Sequence, residues 1–347
     1  MISSFSTNKD QKNPLVSPLF QIILITLSSL IFSINLYNQI NTWKQKDPIP
    51  VIETVNPITY KNFGGFAYQV KVGLYIEDFN IFDTVKNDFL LSGIVWFMFP
   101  IGAFALDTLS QFSFARADIL ERSRPITLLF ENYMVAQYKI KIRFKSPLFL
   151  HDFPLDNHRI VIELNHTVIS PTEMLFESGL QFFQIKPSNI AGWEIVDRQI
   201  TQGYTKVILS EENPTKEFYY PTVLFLVDTM RSGTQYPLTL FLPLLMIFFI
   251  ILFAFSIQKE ETRITLTASG VTGILAYRFV IANLSPQVGY FMISDYCFFL
   301  FLGLSIMIFL VNIVDIFYAN FSRFIKNSFV IFFHLITNAT IMYLFYR

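Results

Sequence analysis

The stretch KEETRITLTASGVTGILAYRFVIANLSPQVGY, residues 259–290, lies in the most hydrophobic third of the chain, yet it keeps threonine, serine and glycine among leucine-rich and phenylalanine-rich neighbours. On a helix at about 100° per residue, one narrow stripe collects its polar side chains. The stripe consists of Glu261, Thr265, Ser269, Thr272, Ala276 and Phe279. Hydroxyl and carboxylate groups are unfavourable against hydrocarbon and favourable against water. The pattern therefore predicts a helix that lines a water-filled pore within a ring of identical helices.

Helix packing is a second interpretation of the same stretch. Threonine and serine also hydrogen-bond to neighbouring helices in membranes, and Gly270 and Gly273 would permit close approach of two helices. The opposite side of the helix carries three apolar residues and one threonine, namely Val271, Ile274, Ile281 and Thr267. The two interpretations differ in whether other helices cover the stripe.

The composition places the whole chain in a membrane class. Hydrophobic residues make up 52 %, 40 of the 347 residues are phenylalanine, and the mean hydropathy is +0.45. A formal net charge of zero gives no reason to expect a nucleic-acid partner. The single cysteine, Cys297, excludes an intrachain disulfide and a zinc site built on several thiolates. No phosphate-binding loop, nucleophile elbow or HExxH motif is present, so we expect neither an enzyme nor a cofactor or metal site.

Long stretches without charge predict the membrane segments, because a spanning helix needs about 20 apolar residues. We expect a cytoplasmic tail at 1–18, an N-terminal transmembrane helix at 19–38, an extracytoplasmic domain at 39–235 and a four-helix transmembrane domain at 236–347. The four helices are predicted at 236–258, 262–283, 295–318 and 326–346.

The first hydrophobic segment has two interpretations. Lys9 and Lys12 precede it, as in a signal peptide. However, no small-x-small cleavage site follows, and its apolar core is long, which favours an uncleaved anchor. In either case the lysines predict a cytoplasmic N-terminus and export of the residues that follow.

Alternating patterns define the domain at 39–235. In YQVKVGL (68–74) and YKIKIRFK (138–145), apolar and polar residues alternate with a period of two. This period, with β-branched and aromatic residues, is typical of half-buried strands. We therefore predict an all-β sandwich followed by a four-helix transmembrane bundle, with an extra N-terminal hydrophobic helix.

Two motifs flank the sandwich's junction with the helices. SPLFLHDFPLDNH (146–158) contains a Phe-Pro-x-Asp core. That core is formed by Phe153, Pro154 and Asp156. Arg231 is followed twelve residues later by Pro243, in FLPLL.

Two further motifs belong to the opening stretch, EETRITLTAS (260–269) near its start and NLSPQVGY (283–290) at its end. In order and spacing, the four motifs resemble prokaryotic members of the pentameric ligand-gated ion channel family. They correspond there to the signature loop, the arginine and proline of the first channel helix, the start of the pore helix, and the loop after it. The cysteines that flank the signature loop in animal members are absent. The resemblance covers the chain from about residue 66 to its end.

The resemblance implies a homopentamer in a lipid bilayer, with five copies of the helix 262–283 around the pore. A small-molecule agonist or protons would act on the sandwich, and a ring of Glu261 carboxylates would favour monovalent cations. The residues that would couple sandwich and helices are Phe153, Pro154, Asp156, Arg231, Pro286 and Tyr290. Asp156 and Arg231 are a candidate ion pair at the domain boundary; the alternative is an ordinary turn proline and a membrane-interface arginine.

Some positions depart from the family pattern. Thr272 stands where a hydrophobic gate is expected, so Ala276 or Phe279 would form the constriction instead. The tryptophan of the early agonist-binding loop is not evident. Candidates for an aromatic ligand site, able to bind a cationic amine, are Phe130, Tyr133, Tyr219 and Tyr220. Core packing is the alternative role for each of them.

Histidines offer a route to proton sensing. His151 and His158 flank the turn of the signature loop and would titrate near neutral pH. His334, in the last predicted helix, is expected to contact another helix rather than a ligand.

Two other classes compete with the channel. A non-conducting membrane sensor or assembly protein on the same scaffold is suggested by the extra N-terminal helix. A membrane enzyme would need a carboxylate or histidine cluster that the sequence does not display. The expected location is the bacterial inner membrane, with several spans.

Overall fold

The computed structural model describes residues 15–346 except 45, 57–59, 62, 187–188, 191, 209–216 and 320. It divides into two compact units. The described residues of 1–42, 151–155 and 233–347 form a helical unit, and those of 43–150 and 156–232 form a sheet unit.

Five helices in the described residues are long and apolar enough to cross a bilayer. They are α1 (Pro18–Ile40), α2 (Gln235–Leu252), α3 (Glu260–Leu284), α4 (Ile293–Val314) and α5 (Arg323–Tyr346). A 3₁₀ turn at Phe253–Ser256 follows α2, and a π-helical turn at Asp315–Ala319 follows α4. Helix α3 begins two residues before the sequence expectation, with Glu260 and Glu261 in its first turn, where carboxylates stabilise the helix dipole.

Helix α1 packs against α2 and α5 within the helical unit. The Phe32 ring lies 6.2 Å from that of Phe241 and 5.9 Å from that of Phe345. Ser28 Oγ is 2.8 Å from His334 Nδ1, a buried polar contact between α1 and α5. His334 is therefore a helix-contact residue, as predicted.

The sheet unit contains two sheets. Its strands are β1 (Tyr68–Asp83), β2 (Asp88–Pro100), β3 (Phe112–Phe114), β4 (Ala117–Arg122), β5 (Ile126–Phe130), β6 (Tyr133–Phe144), β7 (His158–His166), β8 (Met174–Glu177), β9 (Phe183–Ile185), β10 (Asn189–Ile190), β11 (Trp193–Ile208) and β12 (Glu217–Arg231). One sheet has the order β4-β6-β2-β1-β8, with β5 paired to β6 and β9 to β1. The other has the order β10-β11-β12-β7-β3.

The two sheets share one apolar core. Val70, Val72 and Leu74 of β1 are buried, as the alternation predicts, and so are Ile140, Ile142 and Phe144 of β6. They join Ile160 of β7 and Phe225 of β12 in the same core, where removal of apolar surface from water stabilises the fold. A β-sandwich-like region and apolar helices able to cross a membrane are thus both present, as predicted.

A segment that we call the N-terminal arm, residues 46–56, lies along the five-stranded sheet. Ile52 packs against buried side chains of β7 and β12, namely Val161, Leu224 and Leu226. The Glu53 N–H donates to the Tyr204 carbonyl at 2.9 Å, and the Tyr204 N–H donates back at 3.0 Å. A side chain at Gly203 would overlap the Glu53 carbonyl, so the close approach of the arm requires glycine there.

Candidate functional site

One face of α3 is left open by the rest of the chain. The exposed residues include all six members of the predicted stripe, Glu261, Thr265, Ser269, Thr272, Ala276 and Phe279. The buried residues are Arg263, Thr267, Ile274 and Ile281. Among the five spanning-length helices in the described residues, α3 is the least buried. Its polar face is therefore not covered by the described residues of the chain.

Close helix packing and the open stripe occur on different parts of α3. A side chain at Gly270 would overlap Ile251 of α2, so this glycine does permit close approach. Two hydroxyl groups, however, donate within their own helix, from Thr267 to the Arg263 carbonyl at 2.9 Å and from Thr272 to the Ala268 carbonyl at 3.0 Å.

The charges at the start of α3 are separated by the helix itself. Glu260 and Glu261 are exposed, whereas Arg263 is 1 % exposed and points into the helical unit. Arg263 Nη2 donates to Asn312 Oδ1 at 2.5 Å and to Asp315 Oδ2 at 2.8 Å. The positive charge of Arg263 is thus paired inside the helical unit, away from the exposed carboxylates, which the exposed Lys259 precedes in the sequence.

Arg263, Asn312, Asp315 and Lys326 form what we call the buried charge cluster. Lys326 Nζ lies 2.9 Å from Asp315 Oδ2, and the lysine is fully buried. The sequence expectation has the last helix begin at 326, whereas α5 begins at Arg323. Because α5 begins at Arg323, Lys326 lies in the first turn of the helix and faces Asp315. One carboxylate therefore faces two buried cations.

The other end of α3 carries a more open ion pair. Arg278 Nη1 is 2.5 Å from Asp295 Oδ1 on α4, and the arginine side chain is 38 % exposed. Asp295 also accepts the Met292 N–H at 2.9 Å, which caps the first turn of α4. Like the Arg263–Asp315 pair, this pair joins an arginine of α3 to an aspartate. It differs in that its arginine is partly exposed.

Residues 151–155 of the signature loop belong to the helical unit. The carbonyls of His151 and Phe153 accept the N–H groups of Ile293 and Ser294 at 2.9 and 3.1 Å. N–H groups in a first helical turn have no partner in their own helix, so the loop supplies their acceptors. The Tyr290 ring stacks on His151 at a centroid distance of 3.8 Å. The loop tip is thus fastened to the start of α4.

Other predicted coupling residues lie close to this contact. Phe153 is fully buried, with its ring 5.8 Å from that of Tyr236, and the Phe153–Pro154 peptide bond is cis. Pro286 is buried in the loop after α3. Tyr236 donates its hydroxyl to the Leu284 carbonyl at 2.6 Å, which ties the start of α2 to the end of α3.

The next residues of the same loop belong to the sheet unit. Asp156 Oδ1 lies 2.9 Å from Arg231 Nη2, and Asp156 Oδ2 lies 2.6 Å from His158 Nε2. The Arg231 guanidinium also covers the Trp193 ring at 4.4 Å. On the other side of the imidazole, both carboxylate oxygens of Asp47, in the N-terminal arm, lie 3.3 Å from His158 Nδ1. We call Asp47, Asp156, His158 and Arg231 the loop ion cluster.

Charge neighbours control the protonation of the loop ion cluster. Burial opposes the charged imidazolium, but Asp156 and then Asp47 outweigh it and raise the pKa of His158 to about 9. Burial likewise opposes ionisation of Asp156, yet Arg231 and His158 hold the pKa of that carboxyl well below its usual range. The expectation that His158 titrates near neutral pH is therefore wrong, because two carboxylates keep it protonated there.

The four aromatic candidates for ligand binding lie on different sheets. Phe130 and Tyr133 pair across the β5–β6 hairpin, whereas Tyr219 and Tyr220 lie on β12. The Tyr219 ring instead contacts Phe63 at 5.8 Å and Tyr204 at 5.7 Å. The structure does not bring the four candidates together within one chain.

Sequence reasoning missed several residues of these sites. Asp47 stands between a lysine and a proline, as in an ordinary linker, and carries no periodic signal. Asp315 lies within the helix predicted at 295–318, and no local pattern assigns it a partner. Phe63 and Tyr204 are two of many aromatics. In the described parts of the chain, no group of three or more His, Cys, Asp or Glu side chains is placed to hold a metal ion.

Comparisons with known proteins found no relative of this chain. Neither protein-family models nor curated protein sequences match the chain.

Proposed function

We propose that this chain is a subunit of a homopentameric ion channel of the pentameric ligand-gated type. In this proposal α3 lines a pore for monovalent cations, and a small-molecule agonist or protons acting on the sheet unit open it. The channel would lie in the bacterial inner membrane with the sheet unit outside. The observation that carries the proposal is the exposed polar face of α3.

The physical argument depends on what covers that face. The large exposed side chains of α1, such as Leu19, Ile23 and Leu30, are apolar, and its exposed polar residues, Thr26, Ser33 and Asn38, carry no charge. The exposed stripe of α3 instead carries a carboxylate and three hydroxyl side chains. Contact with hydrocarbon would place the Glu261 carboxylate and these hydroxyl side chains in a non-polar environment at a cost, whereas water along a central axis would solvate them. A ring of α3 helices provides that water-filled axis.

Exposed apolar residues in the sheet unit support association with further copies of the chain. Strand β5 is exposed along its whole length, with Ile126, Leu129 and Phe130 each more than half exposed. Contiguous apolar surface of this kind marks interaction sites. In the helical unit, Phe279 is 75 % exposed. Five such rings facing the axis would form an apolar constriction that gates by dewetting.

The signature loop supports a route for gating. Its residues 151–155 accept hydrogen bonds from the start of α4, and Asp156 and His158 belong to the loop ion cluster of the sheet unit. The chain passes directly from one set to the other between Leu155 and Asp156. In this proposal a rearrangement of the sheets moves residues 151–155 through the covalent chain and acts on the first turn of α4 through these hydrogen bonds.

Thiol accessibility tests the pore directly. In a Cys297→Ala background, we expect a water-soluble cationic thiol reagent to modify Ser269→Cys and to block current across planar bilayers. The matched control is Thr267→Cys, which lies on the buried face of the same helix and should react at least about tenfold more slowly. Equal reactivity of the two cysteines, or an unreactive Ser269→Cys in well-folded silent protein, would favour the non-conducting sensor.

Ion selectivity tests the role of the carboxylate ring. Glu261→Gln is expected to lower the cation-to-chloride permeability ratio by about tenfold, since loss of a few tenths to one kcal/mol per carboxylate, summed over five, reaches that order. The measurement is the reversal potential in a KCl gradient. Glu260→Gln, one residue away and outside the stripe, should have the smaller effect. An unchanged reversal potential in Glu261→Gln would remove this residue from the conduction path.

A further inference from the structure

Asp47 is the one member of the loop ion cluster that lies outside the part of the chain that resembles the channel family. Its side chain is 1 % exposed, although it belongs to the arm and not to a strand of either sheet. A buried carboxylate is costly unless it is paired and hydrogen-bonded, so its partners indicate its function.

Those partners are the two ends of the signature loop. The Phe149 N–H donates to Asp47 Oδ1 at 2.5 Å, just before the loop tip. The Arg159 N–H donates to Asp47 Oδ2 at 2.6 Å, just after it. His158 Nδ1 lies 3.3 Å from both oxygens. One carboxylate thus joins the chain entering the tip to the chain leaving it.

The chemistry of these contacts requires a carboxylate. Both oxygens of Asp47 accept a backbone N–H while the imidazolium faces them from β7, so both must be acceptors. An asparagine of the same shape offers one acceptor oxygen and turns its NH₂ group towards a donor. The other groups facing His158 are Asp156 in the loop, Arg231 beyond Asp156, and the Trp193 ring at 5.5 Å. Among these groups around His158, Asp47 is the one that comes from the N-terminal arm.

We propose that Asp47 is a positioning residue for gating, which holds the base of the signature loop so that the loop tip transmits movement of the sheets to α4. The proposal rests on the proposed channel function. It also gives a role to the N-terminal helix, because Asp47 follows Ile40, the last residue of α1, by seven residues. Helix α1 is held in the helical unit by Ser28 and Phe32, so the base of the loop is tied through the arm to a membrane-embedded helix.

The first test does not need a conducting protein. Side-chain ¹⁵N resonances of the four histidines are followed with pH in the purified full-length protein, with His158→Gln to assign the signal. We expect the His158 midpoint of wild type near 9 and a fall of about one unit or more in Asp47→Asn, because an opposite charge within hydrogen-bond distance is removed. Glu53→Gln, a carboxylate of the same arm that bonds Tyr204, should leave the midpoint unchanged. An unchanged midpoint in Asp47→Asn overturns the proposal.

The second test concerns gating. Currents evoked by acidification and by a series of primary amines are compared for the same variants in planar bilayers. We expect Asp47→Asn to shift the half-activating concentration by about tenfold, with unitary conductance unchanged, and Asp47→Glu, which restores two acceptor oxygens, to recover part of the shift. Wild-type activation in Asp47→Asn, together with a shifted His158 midpoint, overturns the role in gating while leaving the channel intact. A silent wild type overturns the proposed function itself, and the histidine titration then decides separately whether Asp47 holds the loop.

Discussion

Replacement of Asp315 by asparagine is expected to lower the thermal-unfolding midpoint of the detergent-solubilised protein by about 10 °C. Asp315 is the carboxylate shared by Arg263 and Lys326, and all three side chains are at most 1 % exposed. Removing one partner of a buried ion pair leaves an uncompensated charge and costs about 3–5 kcal/mol. A change of 1 kcal/mol moves the midpoint by about 2–4 °C in a protein of a few hundred residues. Here one substitution leaves two cations without their counter-charge.

Asp295→Asn is the matched control for this result. Asp295 lies on α4, Asp315 begins the π-helical turn that follows α4, and each pairs with an arginine of α3. Arg278, however, is 38 % exposed and retains access to water. We expect a loss of about 1–2 kcal/mol, which includes the lost cap of the Met292 N–H. Equal midpoints for the two variants would show that burial of the pair does not set its contribution. The side-by-side measurement is differential scanning fluorimetry in one detergent.

The sequence predicts those features that depend on a regular spacing of apolar and polar residues along one strand or one helix. The alternation of β1 and β6 places apolar side chains in one core, and the spacing of Glu261, Thr265 and Ser269 places them on one face of α3. Such periods follow from backbone geometry alone. The same residues therefore share one face of the strand or helix, whatever its neighbours in the folded chain.

Partners distant in sequence leave no comparable period. Lys326 looks like a loop charge until α5 is seen to begin at Arg323 and to bring it to Asp315. Asp47 lies 111 residues from His158, and only the folded sheet brings them together. His158 was expected to titrate near neutral pH because its two carboxylate neighbours could not be inferred from a turn motif. Electrostatic properties therefore required the tertiary structure, whereas the element types did not.

In the proposed channel, Asp156→Asn is expected to reduce the current evoked by agonist or by protons by at least about tenfold, when the current is normalised to the amount of reconstituted protein. The substitution keeps the shape of the side chain but removes the charge between Arg231 and His158. Without that charge, the segment that leaves the loop tip loses its ionic attachment to the end of β12. Movement of the sheets would then no longer reach the carbonyls that cap α4. Planar-bilayer currents, normalised to the amount of incorporated protein, measure the effect.

Loss of stability alone could also reduce current, and Asp228→Asn separates the two causes. Arg159 and Asp228 form a bidentate pair at 2.6 and 2.7 Å in the same sheet, with the arginine 9 % exposed against 10 % for Arg231. Each variant leaves one buried arginine without its carboxylate, and Asp156→Asn also removes a carboxylate from His158, so both should lower the unfolding midpoint, Asp156→Asn by at least as much. Asp156 is a member of the loop ion cluster and Asp228 is not, so only the Asp156 variant should lose activation. If both variants lose current in proportion to their unfolding midpoints, the Asp156–Arg231 pair stabilises the sandwich without transmitting gating, and the route from sheets to helices must run through other residues.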